Sequence, residues 1–169
     1  MTRKTKIRNA EPKDLRGLAQ IESRAAERFP DDRIPDPAAT HPAVLLEAAL
    51  AGGLLYVAES NGKVVGFASC SEQGVYLHLD EVSVHPDHGQ QGIGSALVTR
   101  VIEESRDRSL RGVTLTTFED FDWNAPFYSK LGFFPPAPEF LPEHVNRHLE
   151  EEVLSGMTGR IGMLYRHSG

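Results

Sequence analysis

One junction constrains this chain more than any other stretch: Val84-His85-Pro86-Asp87-His88-Gly89-Gln90-Gln91-Gly92-Ile93-Gly94-Ser95. Its force comes from what lies on either side. Upstream, residues 54–59, 64–70 and 75–84 are short apolar-rich runs that read as three strands. Asn61-Gly62 separates the first two, and this dipeptide is a strong two-residue hairpin turn; Gln73-Gly74 turns the chain again. Downstream, Ile93, Leu97, Val98, Val101 and Ile102 recur at helical spacing and form one apolar stripe. An antiparallel meander therefore hands its last strand, through glycines, to an amphipathic helix.

Such a junction suits a diphosphate. Three glycines, Gly89, Gly92 and Gly94, let the backbone turn sharply and approach a ligand with no Cβ between them. The helix start adds unpaired N–H donors and partial positive charge. A Walker-type loop would carry Gly-Lys-Ser/Thr at this point, and Gly92-Ile93-Gly94-Ser95 has no lysine. A Rossmann fingerprint opens a parallel βαβ unit, whereas this loop follows a meander with different glycine spacing. Glycines alone leave a plain strand-ending turn as an equal alternative.

The remaining elements place the junction in a mixed α/β sheet. A short strand near Ile7 precedes a helix opened by Glu11-Pro12-Lys13-Asp14, with Leu15, Leu18, Ala19, Ile21 and Ala25 on its apolar side. A proline-punctuated loop covers 29–40, a second helix 41–50, and Gly52-Gly53 ends it. After the stripe helix come a strand at 113–117, a short helix at 124–131, a strand start at Phe133-Phe134, an irregular stretch with Pro135, Pro136, Pro138 and Pro142, and a last strand at 161–165. The 169 residues are expected to form one domain, and the net charge of −6 argues against a nucleic-acid binder. No apolar run of membrane-spanning length exists, and the basic Met-Thr-Arg-Lys-Thr-Lys-Ile start has no apolar region behind it; a secretory signal is not expected. A lone cysteine, Cys70, excludes an internal disulfide and fits a reducing cytoplasm.

Two blocks of residues resemble the GNAT superfamily of N-acetyltransferases. Val84-His85-Pro86 with Gly92-Ile93-Gly94-Ser95-Ala96-Leu97 is similar to the family's Val-x-Pro and Arg/Gln-x-x-Gly-x-Gly/Ala signature, and Asn124-Ala125-Pro126-Phe127-Tyr128-Ser129-Lys130-Leu131-Gly132-Phe133 to its Asn…Phe-Tyr-x-x-x-Gly-Phe block. The resemblance is good over 54–134 and looser before it. It implies a mixed, mostly antiparallel twisted sheet flanked by helices on both faces, and acetyl-CoA as co-substrate. It further implies that Val82, Ser83 and Val84 line the pantetheine arm, with the Val84 main chain pairing to it. Gly89, Gln90, Gln91, Gly92, Ile93, Gly94 and Ser95 would surround the diphosphate, and Asn124 would touch pantetheine. Gly89 departs from the family pattern, which has Arg or Gln at that position.

Acetyl transfer to an amine needs a group that takes a proton from the nucleophile and one that gives a proton to the leaving thiolate. The resemblance points to Tyr128 as the acid and Glu81 as the base, with Asp80 on the opposite strand face unless a bulge intervenes. Each has a plain alternative: a packed aromatic for Tyr128, a solvated carboxylate for Glu81, and a helix N-cap for Asn124. Among His78, Asp80, His85, Asp87 and His88 no metal-binding spacing is found, and no metal is expected. The expected acceptor is a small-molecule amine, bordered by 29–40, 119–123 and 135–142, with Glu119, Asp120 and Asp122 either solvated or facing a cationic acceptor. A protein N-terminus or lysine, a noncatalytic acyl-CoA-binding module and a succinyl or propionyl donor are the rival readings. No nucleic acid or membrane partner is expected, and a homodimer is compatible.

Overall fold

The computed structural model describes residues 4–35 and 40–169. Met1 to Arg3 of the basic start and residues 36–39 of the 29–40 loop, Pro37 among them, lie outside them. The element order is β1 (Thr5–Asn9), α1 (Leu15–Ala26), α2 (Ala43–Ala51), β2 (Leu55–Ser60), β3 (Lys63–Gln73), β4 (Tyr76–Val84), α3 (Ile93–Asp107), β5 (Gly112–Phe118), α4 (Ala125–Lys130), α5 (Glu143–Leu154) and β6 (Arg160–Arg166). The strands form one six-stranded sheet in chain order, β1 to β6. β1–β2, β2–β3 and β5–β6 pair antiparallel, and β4–β5 pairs parallel. This is the mixed, mostly antiparallel α/β sheet flanked by helices that the sequence implied. No helix among the described residues is long and apolar enough to cross a membrane.

The β2–β3 turn shows why the meander was readable. Ser60 pairs with Lys63, and both central residues are left-handed, Asn61 at φ 51° and Gly62 at φ 77°. That is the twist a two-residue hairpin requires, and Asn-Gly adopts it at least cost.

The chain divides into two compact units. The first takes its described residues from 4–29, 40–71 and 79–101, the second from 30–35, 72–78 and 102–169. In the first, Tyr56, Val57, Phe67, Leu97, Val98 and Val101 are fully buried. Gly66 of β3 has a packing reason: a Cβ there would lie 3.0 Å from the Ser83 carbonyl oxygen and 3.4 Å from Leu97 Cδ1. A bare backbone at this point lets α3 settle closely on the sheet. The first unit also holds an ion-pair cluster, in which Arg8 bonds both carboxylate oxygens of Asp14 and reaches Glu59.

In the second unit, Val113, Leu115, Met163 and Val145 form the centre. Its α5 was not anticipated. The proline-rich stretch narrows to a 3₁₀ turn at Pro138–Phe140, and Pro142 then caps twelve helical residues. The strand expected at Phe133-Phe134 is a single bridge between Phe134 and Leu164. α5 lies close to β6 at Gly162, where a Cβ would come within 2.6 Å of Val145 Cγ1.

Candidate active site

The first unit assembles the junction. Parallel pairing of β4 covers Tyr76–Gly112, Leu77–Val113 and His78–Thr114, and the strand then runs on through Leu79 to Val84. Glu81 and Ser83 share one face, as period-two alternation requires, and the Ser83 hydroxyl donates to Glu81 Oε1 at 2.9 Å. Ser83 is buried and Glu81 half-buried. β4 closes when the His85 N–H donates to the Val65 carbonyl at 2.8 Å.

A 3₁₀ turn, Pro86–His88, follows. Gly89 has an ordinary extended backbone (φ −64°, ψ 158°), and a Cβ there would meet only the Pro86 carbonyl oxygen, at 3.3 Å. Its glycine is therefore not dictated by conformation. The left-handed positions are Gln90 (φ 58°) and Gly92 (φ 76°), which wind the chain into α3. The Ala96 N–H donates to the Gly92 carbonyl at 3.0 Å, so the N–H groups of the preceding turn point out of the helix start without i−4 acceptors. Ile93 is buried and anchors the turn, leaving Gln90, Gln91 and Gly92 at the surface. The N–H groups at the start of this fifteen-residue helix are of the kind that suit an anion.

The second unit carries the other predicted residues. Asn124 precedes α4, but its side chain makes no capping hydrogen bond, so the N-cap alternative is not realised. Its Oδ1 is buried with no hydrogen-bond partner. A buried carbonyl oxygen without a donor costs about 1–3 kcal/mol, and it has a ready use if a ligand amide supplies the N–H. Tyr128 is 7% exposed, with its ring edge-on to Phe127 at 5.0 Å and Phe133 at 5.7 Å. That packing fixes the ring and so fixes where its oxygen stands.

The acidic loop is partly committed. The Asp120 carboxylate accepts from both terminal guanidinium nitrogens of Arg33, at 2.7 and 2.8 Å, and this pair holds its carboxyl below the usual range. Cys70 is buried with its sulfur 3.4 Å from the Leu54 carbonyl, the setting of a small core residue.

The histidines separate. His88 ends the 3₁₀ turn and His85 caps its start, His85 Nδ1 accepting from the Asp87 N–H at 3.2 Å. His78 belongs to a polar network that sequence reasoning missed. Its Nδ1 lies 2.9 Å from Thr114 Oγ1, which lies 2.8 Å from His144 Nε2. The His148 ring stacks on His78 at 4.3 Å and 2°. A nitrogen of His78, a nitrogen of His148 and a carboxylate oxygen of Asp80 lie within 4.8 Å of one another, a grouping the sequence spacing did not announce. Burial holds His78 well below its ordinary pKa of 6.5, and burial with neighbouring His148 and Arg147 pushes His144 down to about 4. One turn further along α5, Glu152 accepts from Thr116 and from Arg160. The available signal was the spacing of His144, His148 and Glu152, which places all three on one helix face.

A strand that ends in a left-handed glycine turn at the start of an amphipathic helix, within a six-stranded mixed sheet, defines a mixed α/β protein. The model described as the acetyltransferase (GNAT) family matches residues 17–133, and the chain belongs to that family. It is 43% identical over 63 residues to the L-amino acid N-acyltransferase MnaT of Escherichia coli, covering 34% of this chain and 37% of that protein. The chain spans less than half the length of this and other curated relatives, with 38% and 45% of two more. Its fold is similar to the ribosomal-protein-S18-alanine N-acetyltransferase of Escherichia coli (TM-score 0.71, 22% identity, 98% of this chain and 97% of that one). It is equally similar to Rv2747 from Mycobacterium tuberculosis, solved with CoA and NLQ (TM-score 0.72, 22% identity, 96% and 99%).

Proposed function

We propose that this chain is an N-acetyltransferase that moves the acetyl group of acetyl-CoA directly to a primary amine of a small molecule, within a ternary complex and as one functional domain. The observation that carries the reading is the buried, partnerless Oδ1 of Asn124 in the second signature block. It fits a pantetheine amide as donor. The outward N–H groups of Gln90 to Ser95 suit the diphosphate, and the β4 main chain at Val82, Ser83 and Val84 suits the pantetheine arm. The seat is made by backbone, so Gly89 in place of Arg or Gln removes a side chain without removing the seat.

Bound there, acetyl-CoA supplies an activated thioester carbonyl. Glu81, directly or through a water, takes the proton from the attacking amine nitrogen. Tyr128 gives its hydroxyl proton to the departing sulfur, so that the C–N bond forms, the C–S bond breaks and free thiol leaves. The hydroxyl of Ser83 on Glu81 Oε1 orients the carboxylate.

The test is thiol release from acetyl-CoA across a panel of L-amino acids, glucosamine 6-phosphate, polyamines and an alanine-starting peptide. Turnover is expected with a small amine, at a rate that falls about a hundredfold in Tyr128→Phe while CoA binding is retained. A Tyr128→Phe enzyme as fast as the parent would remove Tyr128 as the acid. Turnover of the peptide alone would move the acceptor to a protein N-terminus.

A further inference from the structure

Arg33 sits in the second unit at a point where three loops meet. It lies in residues 30–35, between α1 and α2, and its own N–H closes a turn on the Pro30 carbonyl at 3.0 Å. Its two terminal nitrogens form a forked pair with both oxygens of Asp120, in the loop after β5. Nη2 also donates to the Thr158 carbonyl at 3.3 Å, in the turn between α5 and β6. The guanidinium carbon stands 4.8 Å from the centre of the Phe121 ring and 5.1 Å from that of Phe118.

The seat is shaped for this side chain. Gly159 (φ +69°) is next to Thr158, and a Cβ there would stand 2.6 Å from Arg33 Nη2. Phe118 is 2% exposed and also carries Arg160, whose guanidinium carbon is 4.5 Å from the ring centre. Phe121 continues the platform by stacking on Trp123 at 5.1 Å and 23°. An isolated exposed ion pair contributes little. Here a planar fork, a backbone carbonyl and two aromatic faces act on one group, and only an arginine has that combination. The Arg33 side chain is 18% exposed against 55% for Asp120, so the guanidinium is largely covered at the junction.

We propose that Arg33 is a positioning residue that pins residues 30–35 to the loop after β5 and to the turn before β6, and thereby sets the affinity for the acceptor amine without setting that for acetyl-CoA. This rests on the reading that residues 30–35 and 119–123 border the acceptor. Arg33 touches neither reactant; it acts through the loop it holds.

The experiment compares the parent with Arg33→Ala and Arg33→Lys, using the fastest acceptor among the L-amino acids, glucosamine 6-phosphate and alanine-starting peptide of the panel. Amide hydrogen exchange of 31–34 is followed alongside separate KM values for acceptor and acetyl-CoA. In Arg33→Ala, exchange at 31–34 is expected to speed up about tenfold. The acceptor KM is expected to rise about fivefold, with the acetyl-CoA KM within about twofold of the parent. Arg33→Lys should resemble the alanine variant, because an ammonium lacks the fork and the flat stacking face. Unchanged exchange would show that Arg33 holds nothing and overturn the proposal. Faster exchange with an unchanged acceptor KM would overturn it differently, by showing that the pinned loop does not border the acceptor. Both KM values rising together with a lower melting temperature would leave Arg33 as a general stabiliser, which also refutes the assignment.

Discussion

Acidification should destabilise this protein through His144, and the size of the effect follows from its surroundings. His144 is buried at the N-terminal end of α5, its Nε2 on Thr114 and its ring edge near His78. Burial with the nearby His148 and Arg147 holds its pKa at about 4, against 6.5 when unfolded. The unfolded chain therefore binds the proton more readily, and stability falls as pH drops below 6.5 until the folded pKa is reached. Above 6.5 the contribution is complete and flat. Each unit of pH between those limits costs about 1.4 kcal/mol per such histidine, so pH 5 costs about 2 kcal/mol through His144 alone. His78, also depressed, adds a loss of the same sign. The assay is urea unfolding followed by far-ultraviolet circular dichroism at pH 7 and pH 5, for the parent and for His144→Gln. Glutamine keeps a side-chain partner for Thr114 and cannot titrate. The difference in stability between the two pH values should be smaller in His144→Gln by about 2 kcal/mol. An identical difference in both proteins would refute the claim that His144 is held neutral by the fold.

Other expectations concern the cofactor seat and the packing. Asn124→Ala should weaken CoA binding by about tenfold in calorimetry while leaving the unliganded protein as stable as the parent or more so, since it removes a buried acceptor with no donor. Gly92→Ala should lower stability by about 1–2 kcal/mol in urea unfolding, because φ 76° is costly for any residue with a Cβ. Gly162→Ala should destabilise by about 2 kcal/mol or more, as its methyl would press on Val145 Cγ1 and Leu141. Gly89→Gln should fold normally, as its backbone is ordinary, and a raised CoA affinity would show that the family's usual side chain adds to a seat already made by backbone.

The meander, the glycine turn and α3 were legible because local chemistry and tertiary role agree. Asn61-Gly62 makes the turn it favours, and the stripe of Ile93, Leu97, Val98, Val101 and Ile102 is the buried face of its helix. In α5 they disagree. Val145 is fully buried near its start, but beside it runs a polar row of His144, His148 and Glu152, answered by His78, Thr114, Thr116 and Arg160, while Val153 and Leu154 are 67% and 87% exposed. The apolar row Val145, Leu149 and Val153 is short and ends exposed, so it announces the helix only weakly among the prolines before it. Arg33 was hidden for a different reason: its partner Asp120 is 87 residues away, and no local pattern announces a pair at that separation. The Asn124 side chain matched a capping pattern, and only the fold shows that it leaves the cap unmade.

The two units have a consequence for how the chain comes apart. Among the described residues the backbone passes between them at 29/30, 71/72, 78/79 and 101/102, the third of these inside strand β4 itself. Among the described residues, each unit is assembled from three separate segments of the chain. Within each unit the segments are distant in sequence and hold one another in place, so each unit is expected to lose its segments together rather than one at a time.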